Sequence, residues 1–342
     1  MACTLKEVAA RAKVSRTAVS YALRGTGRLD PETRERIRRI AHEMGYRPNL
    51  LVQGIQTGRT QTVGVMVPPR SAFFGQTLAG IQDELLTADY APIALSTGRG
   101  TIELDQIHRL IDHRVDGIIL APRTQAVSDD YLRAIWDRDV PLVTVDTEVP
   151  ETRHADFVGT DDALGGRLAA AHLLGLGHRR LACVAKPGPL SPIQLRRAGF
   201  EQTVLATPDA ACRAIAVRGT DDLHGQTRGL LANGLRPSAV FVTDDRHCPA
   251  VYRAAAELGL AIPDDLSVVG FADLDIAAVM SPPLTTVRQH PYEIGRRAAR
   301  LLLERIEHPE ADRAPRKVRL APELIVRQST APLAPAHSPS FT

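Results

Sequence analysis

Four aspartates stand directly behind short apolar runs: Asp146 ends "PLVTVD", Asp161 follows "FVGT", Asp244 ends "AVFVTD" and Asp273 follows "VVGFA". A carboxylate in that place has two uses. It can cap the next helix by accepting a free backbone N–H, or it can face the space beyond the carboxyl ends of a sheet, where α/β proteins hold ligands. Asp161, just ahead of a helical stretch from Ala163, fits the cap. The stretch "DDRHC" (Asp244–Cys248) offers metal-binding residue types, but its spacing matches no zinc pattern and no distant partner pair accompanies it, so no metal is expected. No G-x-G-x-x-G follows a strand, and neither G-x-x-x-x-G-K-[ST] nor G-x-S-x-G occurs. The "GLG" of "LLGLGHRR" follows a helix and reads as its C-cap. The chain therefore reads as a binding protein with no enzymatic activity and no cofactor.

The elements that must position these acids follow from patterning. From Val63 onward, β-branched runs ("VGVMV", "GIILAP", "PLVTV", "LACVA", "AVFVT", "LSVVGF") alternate with helical stretches such as 101–113, 163–176 and 250–260. Such alternation predicts parallel sheets wrapped by helices, with too many units for one core and hence two lobes.

The chain has 342 residues, 44% of them hydrophobic and 24% charged. Its apolar runs fall far short of the roughly 18 residues a membrane span needs. Lys6, Glu7, Arg11 and Lys13 interrupt any leader at the start, which points to the cytoplasm. Four cysteines without a C-x-x-C pair fit a reducing compartment. Charge is uneven: residues 1–60 hold 12 basic and 5 acidic side chains, a balance of +7, against −4 for the remainder. A basic head on a mildly acidic body suggests a polyanion partner at the head alone.

In that head, Thr4-Leu-Lys-Glu7 has the capping-box pattern, and Leu5, Val8, Ala9 and Ala12 follow at helical spacing. Ser15 is a second N-cap, for a helix through Leu23. With only Lys13 and Val14 between, the two helices must cross steeply, as in a helix-turn-helix, with Ala9 allowing close approach and Val14 and Val19 plugging the crossing. Asp30 and Pro31 open a third helix, whose inner stripe is Ile37, Ile40 and Ala41. With Val19, Ala22 and Leu23 facing in, Arg16, Thr17, Ser20 and Tyr21 point out. A recognition helix in the major groove would present them to base edges, Arg16 to a guanine. Arg24, Arg28 and Arg34 suit phosphate contacts, with Thr4 and Ser15 at the helix starts also counted in the DNA-facing set.

These residues, with "LGHRRLACVA", "PDDLSVVGFADLD", "SPPLTTVRQ" and "PELIVRQST", make a chain that resembles the lac-repressor (LacI/GalR) family of bacterial transcription regulators over about residues 3–330. Departures are Lys13, where the family usually has Gly, and Tyr21, where many members carry Arg. Others are Asp244-Asp245 for Asn-Asp, and "GFAD" for Gly-Phe-Asp-Asp, so that Ala272 removes a carboxylate. A left-handed Lys13 would cost about 1 kcal/mol.

The resemblance implies a helix-turn-helix head over 1–48, a hinge over 49–60, and a two-lobed periplasmic-binding-protein-like α/β body over 61–330. Lobe one would take about 61–157 and 289–318, and lobe two about 158–288 and 319–330. Residues 331–342, rich in Pro, Ala and Ser and lacking heptads, read as a disordered tail, which favours a dimer. By the same resemblance Arg196 hydrogen-bonds ligand oxygens and Phe73 and Phe74 form an aromatic wall. With Asp146, Thr220, Asp244 and Asp273 they make a cleft for a small polar effector such as a sugar or nucleoside, or, given the converging acids, a cationic metabolite. The partners are then an operator duplex, that effector and a second copy of the chain. The rival, a solute-binding protein with the same body, predicts an export signal and no DNA head.

The stretch "NLLVQGIQ" carries apolar residues that belong to neither core. Asn49 signals an N-cap, and the helix it opens is too short to hold itself in water. The resemblance implies that two such hinge helices pair and enter the minor groove, with Ile55 wedging a base step, Val52 packing on the partner and Gln53 touching DNA. Gly54 costs about 1 kcal/mol of helix propensity, so the segment is expected to fold only on DNA.

Overall fold

The computed structural model describes residues 3–46, 58–68, 71–96, 104–122, 129–149, 155–186, 191–216, 220–233, 236–309 and 314–333. The hinge residues Asn49, Val52, Gln53, Gly54 and Ile55 lie outside them, as do the side chains of Arg24 and Thr220. The chain divides into two compact units, Met1–Gln61 and Thr62–Thr342.

Among its described residues the first unit has three helices: α1 (Leu5–Ala12), α2 (Arg16–Arg24) and α3 (Pro31–Glu43). The caps expected at Thr4, Ser15 and Asp30 form. Thr4 N–H donates to Glu7 Oε2 at 2.7 Å while Thr4 Oγ1 accepts from Glu7 N–H. Ser15 Oγ accepts from Ala18 N–H and Asp30 Oδ2 from Thr33 N–H. Lys13 ends α1 in the left-handed region, at φ 53°. Val8, Ala9, Ala12, Val19, Ala22, Ile37 and Ala41 form the core, with Val14, Leu23 and Ile40 against it. Two arginines of α3 satisfy carbonyls at helix ends that no backbone N–H reaches: Arg36 Nη1 donates to Ala12 O and Arg38 Nε to Ala22 O, both at 3.1 Å.

The second unit holds two six-stranded sheets. In lobe one they run β11 (Lys317–Leu320), β5 (Ala155–Thr160), β4 (Leu142–Val145), β3 (Gly117–Leu120), β1 (Thr62–Val67) and β2 (Ala91–Ser96), all parallel. In lobe two the order is β12 (Glu323–Ile325), β10 (Thr285–Arg288), β9 (Ser267–Ala272), β8 (Ala239–Val242), β6 (Arg180–Ala185) and β7 (Ala211–Ala216); only the β10–β12 pair is antiparallel. The central strands are near-continuous apolar runs because both faces are covered.

Helices α4 (Ala72–Thr87), α5 (Leu104–Asp112), α6 (Asp129–Trp136) and α12 (Pro291–Glu307) serve lobe one. Lobe two has α7 (Asp162–Gly175), α8 (Pro192–Leu205), α9 (Thr220–Leu231), α10 (Cys248–Glu257) and α11 (Asp275–Val279). The chain passes between sheets at 160–162, 288–291 and 320–323. The limits 157 and 318 inferred from sequence fall short, because β5 stays paired through Thr160 and β11 through Leu320. The expected start of a loose tail at 331 is also corrected: Leu333 N–H donates to Leu176 O at 2.8 Å and Ala331 O accepts from His178.

In lobe two, α7 and α8 touch backbone to backbone. A Cβ on Gly166 would lie 2.0 Å from Arg196 O, and one on Gly199 2.1 Å from Ala163 O. This contact sets the distance between the acid that opens α7 and the arginine of α8.

Candidate functional site

Asp161 N-caps α7, accepting from Leu164 N–H at 2.8 Å. That leaves the next residue, Asp162, pointing inward and 3% exposed. Arg196 Nε donates to it at 2.7 Å, and Arg196 Nη1 donates to Thr243 O at 3.0 Å. The guanidinium also lies 3.9 Å from the Phe271 ring centre. Two of the five N–H donors of Arg196, the arginine that the resemblance sets against ligand oxygens, are thus taken by Asp162 and Thr243. Burial pushes Asp162 up to about 6 against the charge and hydrogen bond of Arg196. Sequence reasoning passed over Asp162, because the cap rule explained Asp161 and stopped there. The doubled acid at a helix start was the available signal.

Asp244, at the end of β8, caps the short 3-10 turn Asp245–His247 and receives Arg246 Nε on both oxygens, at 2.9 and 3.1 Å. Burial alone would raise its pKa, but the hydrogen bonds and charge of Arg246 outweigh it and hold Asp244 below the usual range. Its neighbour Asp245 is fully buried and structural, accepting from Thr286 Oγ1 and Leu274 N–H above Gly270.

From lobe one, Asp146 follows β4 at φ 65°, and the charges of Asp162, Arg196, Asp244 and Arg246 act on it. Burial pushes it up to about 7; Asp162 and Asp244 add to the rise, while Arg196 and Arg246 oppose it. The structure therefore brings together Asp146, Arg196 and Asp244 of the expected set and adds Asp162, Arg246 and Phe271.

Asp273, Phe73 and Phe74 make other contacts. Asp273 is held by Arg288 Nε at 2.7 Å and Arg327 Nη2 at 2.6 Å, so both its oxygens are spent on ion pairs rather than offered to a ligand. Phe73 and Phe74, edge to face at 5.0 Å, pack on the lobe-one core. No ring contact, hydrogen bond or ion pair joins them to the charged cluster among the described residues. Ala272 adopts φ 120°, a conformation that favours glycine. Among the described residues no group of three or more His, Cys, Asp or Glu could hold a metal ion. No described helix is long and apolar enough to cross a membrane.

On the head, Arg16, Thr17 and Arg28 are exposed, as are Thr4 and Ser15 in their caps, with Ser20 half-buried. Tyr21 is 39% exposed, and its ring leaves no room for a side chain at Gly27. Arg34 Nη2 donates to Gly27 O at 3.0 Å. That bond makes Arg34 a strap for the loop after α2.

Residues 4–49 match the model described as bacterial regulatory proteins, lacI family, and residues 170–330 that of the periplasmic binding protein-like domain. The ribose operon repressor of Haemophilus influenzae is 31% identical over 331 residues, 95% of this chain and 98% of that protein. The chain belongs to the lacI family. The HTH-type transcriptional regulator DegA of Bacillus subtilis is 32% identical over 338 residues, 97% of this chain and 99% of its own. Among solved structures, the lac repressor dimer bound to operator and the anti-inducer ONPF aligns with TM-score 0.78 at 25% identity, covering 97% of this chain and all of that one. A lacI-family regulator of Enterococcus faecium with bound ribose aligns with TM-score 0.68 at 32% identity, covering 80% and 99%. For this family member, then, the helix-turn-helix and the two-lobed body are parts of one regulator.

Proposed function

We propose that this regulator is a cytoplasmic, non-enzymatic repressor that binds a near-palindromic operator as a homodimer and takes a small polar effector between the lobes of its body. The observation that carries the reading is the outward face of α2: Arg16, Thr17 and Tyr21 stand exposed on a helix whose start is fixed by the Ser15 cap. On that reading Arg16 donates to a base edge in the major groove, and Arg28 with Arg24 contacts phosphates. The hinge residues Asn49, Val52, Gln53 and Ile55 take the minor groove.

The cleft supports the effector half. Asp146 belongs to lobe one and Asp162, Arg196, Asp244 and Arg246 to lobe two, so a ligand touching both favours one relation between the lobes. Differential affinity for two such states is typically worth 1–3 kcal/mol. The ribose bound to the Enterococcus faecium relative supports a sugar-sized effector.

A gel shift with genomic fragments tests the whole reading. Sequence-selective duplex binding at moderate salt is expected. Arg16→Ala should relax base preference at one position per half-site, and Arg28→Ala should weaken all sequences alike. Uniform loss in both variants removes the assignment of α2 as the reading helix.

A further inference from the structure

The loop after α2 carries two glycines in the left-handed region, Gly25 and Gly27, both at φ 73°. They differ in what surrounds them. A Cβ on Gly25 would have Arg38 Nη2 at 3.6 Å, an ordinary contact. A Cβ on Gly27 would stand 2.7 Å from both Cγ and Cδ2 of Tyr21 and 3.2 Å from its Cβ. The loop has therefore folded back until the bare backbone of Gly27 lies against the root of the Tyr21 ring. Glycine is required there twice, for the positive φ and for the close approach.

The approach is held from several sides. Gly27 O accepts from Arg34 Nη2 at 3.0 Å and from Leu29 N–H at 3.2 Å. Arg34 belongs to α3, so the loop is anchored to a second helix. Thr26 N–H and Gly25 N–H both donate to Tyr21 O. On α2 itself, exposed Thr17 lies one turn before Tyr21 on the same face. Tyr21 is braced on one side and still 39% exposed. A long exposed side chain such as Arg28 gives up rotamer freedom when it meets DNA. A ring already seated gives up little, and that preorganisation favours one partner geometry over others.

From this placement we infer that Tyr21 is a specificity-determining residue and Gly27 the residue that positions it: the ring, seated on Gly27, meets the methyl group of one thymine per half-site. Thymine follows from the chemistry of the exposed part. The flank of the ring is apolar, and the apolar group that base edges offer in the major groove is the C5-methyl of thymine. A phenol has a single hydroxyl and cannot make the paired hydrogen bonds by which arginine takes guanine or asparagine takes adenine. The inference rests on α2 as the reading helix and assigns the base that one of its side chains takes.

The test is selection of binding sites from a randomised duplex library by the full chain, native and variant. The native half-site should contain one position that favours thymine over each other base by about fivefold or more. Tyr21→Ala should remove that preference and leave the position read by Arg16 as it was. Tyr21→Phe, which keeps the ring, should retain it. Gly27→Ala should erase it as Tyr21→Ala does, because the added methyl drives the ring off its seat. Gly25→Ala, with the same φ and no ring to displace, should retain it, which separates positioning from damage to the loop. Uracil in place of the selected thymine removes only the methyl. It should weaken native binding about fourfold, the value of one buried methyl, and leave binding by Tyr21→Ala unchanged. Equal weakening of all sequences by Tyr21→Ala would make Tyr21 a phosphate contact and overturn the inference. Loss of the preference in Tyr21→Phe, its survival in Gly27→Ala, or indifference of the native chain to uracil would overturn it as well, and each leaves α2 as the reading helix. No enriched sequence at all would remove the reading helix and this inference together.

Discussion

The carbonyl oxygen of Arg196 occupies the space a side chain would need at Gly166; a Cβ there would stand 2.0 Å from it. This one contact couples the backbone of α7 to that of α8 and sets the reach of Arg196 Nε to Asp162, 2.7 Å away. The neighbour is backbone and cannot swing aside, so Gly166→Ala must push the helices apart. It should destabilise the body by about 1–3 kcal/mol and weaken effector binding, because the separated pair leaves both charges poorly compensated. Gly75→Ala, in α4 with open space around it, should be neutral or stabilise by up to about 1 kcal/mol. Denaturant unfolding of the two variants checks this, and equal midpoints would refute it.

The same cleft predicts how stability depends on pH. Burial holds Asp146 up to about 7 and Asp162 up to about 6, both above their unfolded values. The folded chain therefore keeps protons that the unfolded chain has released. The stability associated with these two groups is fully present below their unfolded pKa and is lost as pH rises through about 6 and 7. Asp244, held low by Arg246, acts in the opposite direction and loses its contribution on acidification. Asp146→Asn should accordingly stabilise by about 2 kcal/mol at pH 8 and by almost nothing at pH 4. Melting curves at the two pH values decide it, and a gain that does not vary with pH would remove the argument.

Lys13 tests the head in the same way. It ends α1 at φ 53° in a turn too short to be rearranged, and a side chain there costs roughly 1 kcal/mol relative to glycine. Lys13→Gly should raise the melting temperature of the head, with part of the gain offset by the freer unfolded chain. Lys13→Ala should change little. A fall in stability with glycine would show that the lysine side chain contributes more than the strain it imposes.

What was legible in the sequence was local. Thr4–Glu7, Ser15 and Asp30 each cap within three residues, so spacing alone identifies them, and the interior strands β1, β3, β4, β6, β8 and β9 announce themselves because both faces are apolar. The edge strands β2 and β7 were not read, since "APIALS" and "ACRAIA" mix exposed with partly buried residues, and only Ile215 among those described is buried. The cleft was legible as a location and not as a set of bonds. Asp162 and Arg196 lie 34 residues apart, and Arg327 reaches Asp273 from 54 residues away. No periodicity reports which acid a distant arginine has taken. Sequence therefore favoured Asp273, which is locked, and passed over Asp162, which is central.

Basic residues of the head divide in a way charge counting cannot. The balance of +7 over residues 1–60 treats all arginines alike, yet Arg34, Arg36 and Arg38 donate to Gly27 O, Ala12 O and Ala22 O. Replacing Arg38 removes a hydrogen bond to the end of α2, and the freed carbonyl must find water. Arg38→Ala should lower head stability by about 1 kcal/mol and leave the salt dependence of operator binding almost unchanged. Arg28→Ala should do the reverse: unchanged melting, and a salt slope reduced by about 1. Thermal unfolding and gel shifts over a salt series separate the two. If Arg38→Ala reduces the salt slope as Arg28→Ala does, then Arg38 turns to phosphate when DNA is present, and its bond to Ala22 O belongs to the free protein alone.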